Sequence, residues 1–273
     1  MTVRVVTDSA ADLPDDLARE LGITVVPLSI RFGDDEFVDR RDLTPAAFYE
    51  RMASSAVLPE TAAPSPGAFE AAFRGDGPVV CITISSDLSG TMQSARAAAR
   101  AIPDVDVRIV DSRSVTWGQG SQVVAAARAA ASGASADEVV AVVEEMVPRT
   151  RVYGALDTLE NLKKGGRIGN AQALLGTLLA IKPIVDLSSG VTEEAGKVRT
   201  RGKALQALVA KVAEAGEVEN LAVMHGRAPD VDELVGLLAA IHPRDAIHVG
   251  EIGATVGVHG GPRVMGVTFQ VVR

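Results

Sequence analysis

Cysteine, aromatic side chains and long apolar runs are all scarce in this chain. Its single cysteine, Cys81, stands inside an apolar stretch and has no partner for a disulfide, so nothing here requires an oxidising compartment. Aromatic residues make up 3% of the sequence, which argues against stacking on bases or sugars as the main mode of binding. Lysine and arginine number 27 against 35 aspartates and glutamates, a formal charge of −8 with no basic run. A phosphate backbone therefore has no electrostatic footprint, and no nucleic-acid partner is expected. The start, MTVRVVTDSAADLP, lacks the apolar region of a signal peptide, and the longest near-apolar stretch, Ala171 to Ile181, is too short to span a bilayer. These absences point to a cytoplasmic protein.

What is abundant is aliphatic residue, chiefly alanine and valine: 47% of the 273 residues are hydrophobic, enough for a real core in one large domain or two of ordinary size. Short β-branched runs alternate with helical patterns, the signature of βα units and an α/β fold with a mostly parallel sheet in the N-terminal half. Strands are expected at 3–7, 23–28, 79–84 and 106–111, and helices near 14–21, 45–53, 66–74, 91–101, 119–131 and 136–147. Thr44 before Pro45 and Ser65 before Pro66 place a hydroxyl cap ahead of proline at the first helical position. Pro148 interrupts the pattern, so a domain boundary is expected near 149, dividing the chain into 1–149 and 150–273. The second half reads as strand 151–156, a short helix ending at Lys163-Lys164-Gly165-Gly166-Arg167, and a helix through Ala171–Ile181. Two strands joined at Ser188-Ser189-Gly190 follow, then helix 200–214, strand 220–225, helix 230–241 and strands 246–251 and 264–272. Two packed α/β domains with a cleft between them are the expected architecture.

The most informative segment is VVCITISSDLSGT at 79–91, where an apolar strand ends in small hydroxyl residues just before an alanine-rich helix. Ligands of open α/β sheets settle there, where the next helix offers unpaired N–H groups and the positive end of its dipole. Ser89, Gly90 and Thr91 would supply hydroxyls and close backbone approach; an ordinary helix cap is the competing reading. A second small hydroxylated loop, Thr61-Ala62-Ala63-Pro64-Ser65-Pro66-Gly67, holds Thr61 on stiff extended backbone, and Thr61 and Ser89 together could grip a carboxylate. Asp8, Ser9, Asp111 and Ser112 end strands at the same sheet edge and are read as loop organisers that bond backbone amides. Among four histidines, His259 alone has a glycine-rich setting, Gly257-Val258-His259-Gly260-Gly261-Pro262, read as uncrowded backbone that lets a ligand approach. His225, His242 and His248 have no carboxylate or cysteine at ligand spacing, so no metal site is expected. The surroundings of Ser89 lack the G-x-S-x-G elbow of a hydrolase, although a Ser89–His259 dyad in a serine esterase or acyl transferase stays open as an alternative. Gly118-Gln119-Gly120 is a weak, partial dinucleotide pattern. Lys163, Lys164, Arg167, Lys197, Arg199, Arg201 and Lys203 form local positive clusters in an acidic chain, which suits an anionic or protein partner as well as a solvated face.

Seven separate pieces resemble the DegV family of bacterial fatty-acid-binding proteins, in order and nearly end to end. They are VTDSAADLP at 6–14, TAAPSPG at 61–67, ISSDLSGTMQSA at 84–95, LKKGGRIG at 162–169, KPI at 182–184, VRTRGKAL at 198–205 and VGVHGGP at 256–262. The resemblance implies an acyl chain in a closed apolar tunnel between two α/β domains, its carboxylate held at positions matching Thr61 and Ser89, with the Gly90 amide, and closed off by His259. It implies a carrier without cofactor, not a catalyst: a partner kinase with a dihydroxyacetone-kinase-like domain phosphorylates the bound long-chain fatty acid to an acyl phosphate for phospholipid synthesis. Arginines matching Arg167 and Arg199 are implied in docking that kinase, and transient membrane contact is compatible with the role. The chain departs from the family's pattern at Ala62, where a serine is usual, at Met92, where an aromatic often follows Gly-Thr, and at Gly260-Gly261-Pro262-Arg263 after the histidine. A lipid-responsive interaction protein that works with no kinase is the third reading.

Overall fold

A computed structural model describes residues 2–174 and 181–272. The first half runs through β1 (Arg4–Asp8), α1 (Asp15–Glu20), β2 (Thr24–Val26), β3 (Ser29–Phe32), β4 (Asp35–Val38), α2 (Pro45–Ser54), β5 (Glu60–Ala62), α3 (Pro66–Phe73), β6 (Val79–Thr83), α4 (Thr91–Ala101), β7 (Val107–Asp111), α5 (Trp117–Ala131) and α6 (Ala136–Met146). The second half continues with β8 (Thr150–Ala155), α7 (Glu160–Lys164), β9 (Lys182–Asp186), β10 (Glu193–Val198), α8 (Arg201–Glu214), β11 (Val218–His225), α9 (Val231–Leu238), β12 (His248–Glu251), α10 (Ala254–Gly260) and β13 (Met265–Val271).

Three sheets result. The first has the order β2-β1-β6-β7 with every pairing parallel, and its central strand β6 is buried at all five positions, as a continuous apolar run in a covered parallel sheet must be. The α/β class and the parallel N-terminal sheet therefore match the sequence reading, and Thr44 and Ser65 accept from the Ala47 and Ala68 amides as the expected caps. The second sheet, β10-β9-β8-β13-β11-β12, is antiparallel except between β11 and β12. The third, β4-β3-β5, was not anticipated: residues 29–38 form a hairpin turned at Gly33, whose φ of 62° is easy only for glycine. The helix expected through Ala171–Ile181 lies, from 175 to 180, outside the described residues; before it, Gly169–Leu174 is 3-10 helix. The segment read as a glycine-rich loop around His259 is instead a helix, α10.

The largest core cluster joins the halves, combining Val80, Ile82 and Val123 with Leu156, Val185 and Met224. Helix α5 sits within it, and the glycines at its start serve packing rather than a dinucleotide. A Cβ on Gly120 would stand 2.6 Å from the Ala11 carbonyl oxygen, and one on Gly118 would stand 2.7 Å from a Val152 methyl. Between them Gln119 donates to Thr7 Oγ1 at 3.0 Å and Asp8 Oδ2 at 3.3 Å, tying the helix to β1. We expect Gly120→Ala to destabilise the protein by about 1–3 kcal/mol in urea unfolding, as overpacking against backbone does. Gly202→Ala, at an exposed position in α8 with nothing within 4 Å, should leave stability unchanged or raise it by up to about 1 kcal/mol. Equal losses in the two variants would contradict this account of α5.

Candidate functional site

Loops that follow the strands of the parallel sheet face one side of the six-stranded sheet, and an apolar cavity lies between those loops and that sheet face. Its walls are mostly aliphatic: Ile84 and Val115 come from the first half, and Val152, Val185 and Met224 from the second. Thr61, Ser89, Arg167 and His259 also line it and bring hydrogen-bonding and charged groups to an otherwise greasy space.

Each arrives on a different element. Thr61 is the middle residue of β5, paired with Ile30 of β3. Ser89 stands on the loop between β6 and α4, and that loop is shaped by carboxylates, as the sequence suggested. Asp8 accepts from the Ile84 amide at 2.8 Å and the Ala10 amide at 3.0 Å, while Asp111 accepts from the Ser86 and Arg113 amides. Ser9 likewise accepts from the Leu28 amide, and Ser112 from the Ser114 amide. The Ser89 and Thr91 hydroxyls are 2.9 Å apart, and the Thr91 amide donates to Ser89 Oγ at 3.3 Å. Gly90 occupies the N-cap of α4; it is exposed and is not among the residues lining the cavity.

His259 closes the constellation from 198 residues away, its Nε2 lying 3.2 Å from Thr61 Oγ1. The helix that carries it is seated by buried polar contacts. The Gly253 amide donates to Asp12 Oδ1 at 2.9 Å, Thr255 Oγ1 donates to Asp39 Oδ2 at 2.6 Å, and Asn161 donates to the Val258 carbonyl at 3.1 Å. Arg40 pairs with Asp12 at 3.1 Å. Burial nevertheless pushes the Asp12 carboxyl up to about 6, and does the same to Asp8. Contrary to the sequence reading, the backbone around His259 is crowded: a Cβ on Gly257 would stand 2.6 Å from the Tyr49 hydroxyl and 2.7 Å from Phe48. Gly257 lets α10 lie against α2, while Gly260 makes room for Val264. Burial first, and the Arg167 guanidinium second, lower the His259 pKa from 6.5 to about 4, so the imidazole is neutral at neutral pH.

Arg167 is half-buried and faces inward, donating from Nε to the Leu88 carbonyl at 3.0 Å and from Nη1 to the Gly165 carbonyl at 2.7 Å. It thereby tethers the Ser89 loop to the turn after α7. Arg199, by contrast, is exposed beyond the end of β10 and does not line the cavity. The inward role of Arg167 and the seating of α10 by Asp12, Asp39 and Arg40 escaped sequence reasoning, and no local signal marks them. A Ser89–His259 dyad is not assembled: His259 Nε2 faces Thr61, Ser89 faces Thr91, and no carboxylate among the described residues bonds His259 Nδ1. Among the described residues, no group of three or more His, Cys, Asp or Glu side chains is placed to hold a metal ion, and no helix is long and apolar enough to cross a membrane.

The fold and the site define an α/β protein built around an apolar cavity into which hydroxyls, a neutral imidazole and a guanidinium project. The family model described as "Uncharacterised protein, DegV family" matches residues 2–271, and the chain belongs to that family. A DegV domain-containing protein of Streptomyces coelicolor is 37% identical over 98% of both chains. Two solved structures align over the full length of both chains: a DegV family protein from Thermus thermophilus described in terms of fatty acid binding, at 35% identity and a TM-score of 0.91, and DegV from Bacillus subtilis, described as a fatty acid binding protein, at 30% and 0.87. A stearic acid-binding protein from Eubacterium ventriosum aligns over 98% of each chain at 25% identity and a TM-score of 0.86.

The depressed His259 pKa has a consequence for stability. Between its ordinary 6.5 and about 4 the unfolded chain binds a proton that the folded protein does not, so stability falls as pH drops through that window. Discounted for partial exposure, the loss by about pH 4.5 is roughly 1–2 kcal/mol. Urea unfolding of wild type and His259→Gln at neutral pH and near pH 4.5 isolates it, because the opposing contributions of Asp8 and Asp12 cancel in the difference. Wild type should lose more; parallel losses would refute the buried, neutral imidazole.

Proposed function

We propose that the protein binds a long-chain fatty acid noncovalently, with the acyl chain in the cavity and the carboxylate between Thr61 and Ser89. The observation that carries this reading is the aliphatic cavity whose polar lining brings two hydroxyls, a neutral imidazole and one guanidinium together from distant parts of the chain. Removing the tail from water contributes about 0.8 kcal/mol per methylene, on the order of 10 kcal/mol for a sixteen-carbon chain before ordering costs. The head group is held by a relay. With Nε2 protonated, His259 donates to Thr61 Oγ1, which frees the Thr61 hydroxyl proton for one carboxylate oxygen; Ser89 donates to the same group, and Arg167 supplies the compensating charge. The description of the Thermus, Bacillus and Eubacterium relatives as fatty-acid-binding supports a fatty acid as the ligand.

In this reading residues 1–149 carry the head-group loops and 150–273 cover the chain. The protein acts in the cytoplasm as a carrier, presenting the carboxylate to a separate kinase with a dihydroxyacetone-kinase-like domain that makes the acyl phosphate for phospholipid synthesis. In this reading Arg199, which is exposed, and Arg167 dock that kinase, and Arg167, in the cavity wall, serves the bound acid as well.

Replacing both Thr61 and Ser89 by alanine should weaken binding of a fluorescent long-chain fatty acid about a hundredfold or more, since each hydrogen bond to a charged group contributes about 1.5–3 kcal/mol. Unchanged affinity would overturn the head-group assignment. Arg199→Ala should slow acyl phosphate formation by a supplied kinase and leave fatty acid affinity intact. No acyl phosphate from wild-type protein with any such kinase would instead favour a lipid-responsive interaction protein.

A further inference from the structure

The floor of the cavity is one face of the six-stranded sheet, and its residues are unusual for a lipid site. Gly154 of β8 and Gly266 of β13 stand opposite each other and both line the cavity, so the floor is bare there. A Cβ on Gly266 would lie 2.8 Å from the Tyr153 carbonyl oxygen, so that bareness is built into the strand pairing. Two residues further along β13 and on the same face is Thr268, whose register partners are Val152 of β8 and Ala222 of β11. Thr268 is 1% exposed and lines the cavity, and its hydroxyl has no hydrogen-bond partner among the described residues. The next side chain on that face, Gln270, donates to Ser121 and Thr150, so the sheet's internal polar network ends one position short of Thr268.

The other threonines of the wall differ in their surroundings. Thr61 meets His259 and Thr255 donates to Asp39, while Thr116, whose hydroxyl also has no hydrogen-bond partner among the described residues, lies near the Asp12 carboxyl and lowers its pKa. Thr192 has no side-chain partner among the described residues either, and its backbone packs against Gly169 and accepts from the Asn170 amide. Of the three unpartnered wall hydroxyls among the described residues, that of Thr268 is the one on a strand of the sheet floor, with Val152 and Ala222 as register partners and on a different element from Thr61, Ser89 and His259. A buried hydroxyl facing only methylenes is costly, and it is satisfied if the bound chain itself brings an oxygen there.

We propose, resting on the fatty-acid reading above, that Thr268 recognises acyl chains bearing a hydrogen-bonding oxygen part-way along, that is hydroxy or oxo fatty acids, with the chain laid across the Gly154–Gly266 floor. The ligand oxygen and the Thr268 hydroxyl exchange one hydrogen bond, and no covalent step is involved. The test is competition binding of octadecanoic acid against a series of hydroxyoctadecanoic acids differing in hydroxyl position, using the full chain and its Thr268→Val and Thr268→Ser variants. For the isomer whose hydroxyl reaches Thr268, the affinity ratio of hydroxylated to plain acid should drop about tenfold in Thr268→Val and be retained in Thr268→Ser. A ratio that is the same in wild type and Thr268→Val for every isomer, with plain acid still bound, overturns the proposal and leaves the fatty-acid reading standing. Failure of wild type to bind any of the acids overturns the fatty-acid reading itself.

Discussion

The gap held open between the six-stranded sheet and the loops that follow the parallel strands is the constraint on which the rest of the structure depends. Protein interiors pack as densely as organic crystals, and an apolar void costs stability in proportion to its size. Here the void is specified rather than accidental. Facing glycines leave the sheet floor bare, and aliphatic residues from both halves form the remaining walls. A long methylene chain is the kind of guest such walls favour, because it offers dispersion contacts along its length and asks for no hydrogen bonds.

Keeping the gap open while fixing the polar groups that line it requires contacts that do not yield. Two sets do this. One seats α10: Asp12 and Asp39 accept from its first residues, and Arg40 lies beside both carboxyls. The other ties the Ser89 loop to the second half, through Ser85 Oγ donating to the Gly190 carbonyl at 2.6 Å, Arg113 donating to the Ser189 carbonyl, and Arg167 donating to the Leu88 carbonyl. Thr61, Ser89 and His259 therefore line one cavity without relying on a ligand to assemble them, and binding is spared the cost of ordering them. Buried carboxyls raised to about 6 are the energetic counterpart of this rigidity, since each would be more stable in water.

Local chemistry made part of this legible in advance. The parallel strands declare themselves as β-branched runs, the caps at Thr44 and Ser65 as hydroxyl-proline pairs, and the hydroxylated loops at 61–67 and 84–91 as small residues leading into helices. What stayed hidden is what depends on distant packing. The hairpin of β3 and β4 carries charged residues that resemble a loop, and its pairing with β5 bridges some thirty residues. Helix α10 is rich in glycine, which locally disfavours a helix; the close approach of Tyr49 and Phe48 to Gly257 and of Val264 to Gly260 explains those glycines. The Thr61–His259 contact and the inward turn of Arg167 have no local signature at all. Resemblance to a family implied that Thr61 and His259 share the polar end of one site, without their contact, and for Arg167 it suggested only the docking of a partner.

The central claim, that an acyl chain occupies the apolar cavity, is tested most directly by mass. Native mass spectrometry of the purified full chain, followed by solvent extraction of the same sample, should show one long-chain fatty acid per protein, released on denaturation and taken up again by protein incubated with excess acid. A spectrum showing only the bare chain, both as purified and after incubation with excess long-chain fatty acids, would contradict the account.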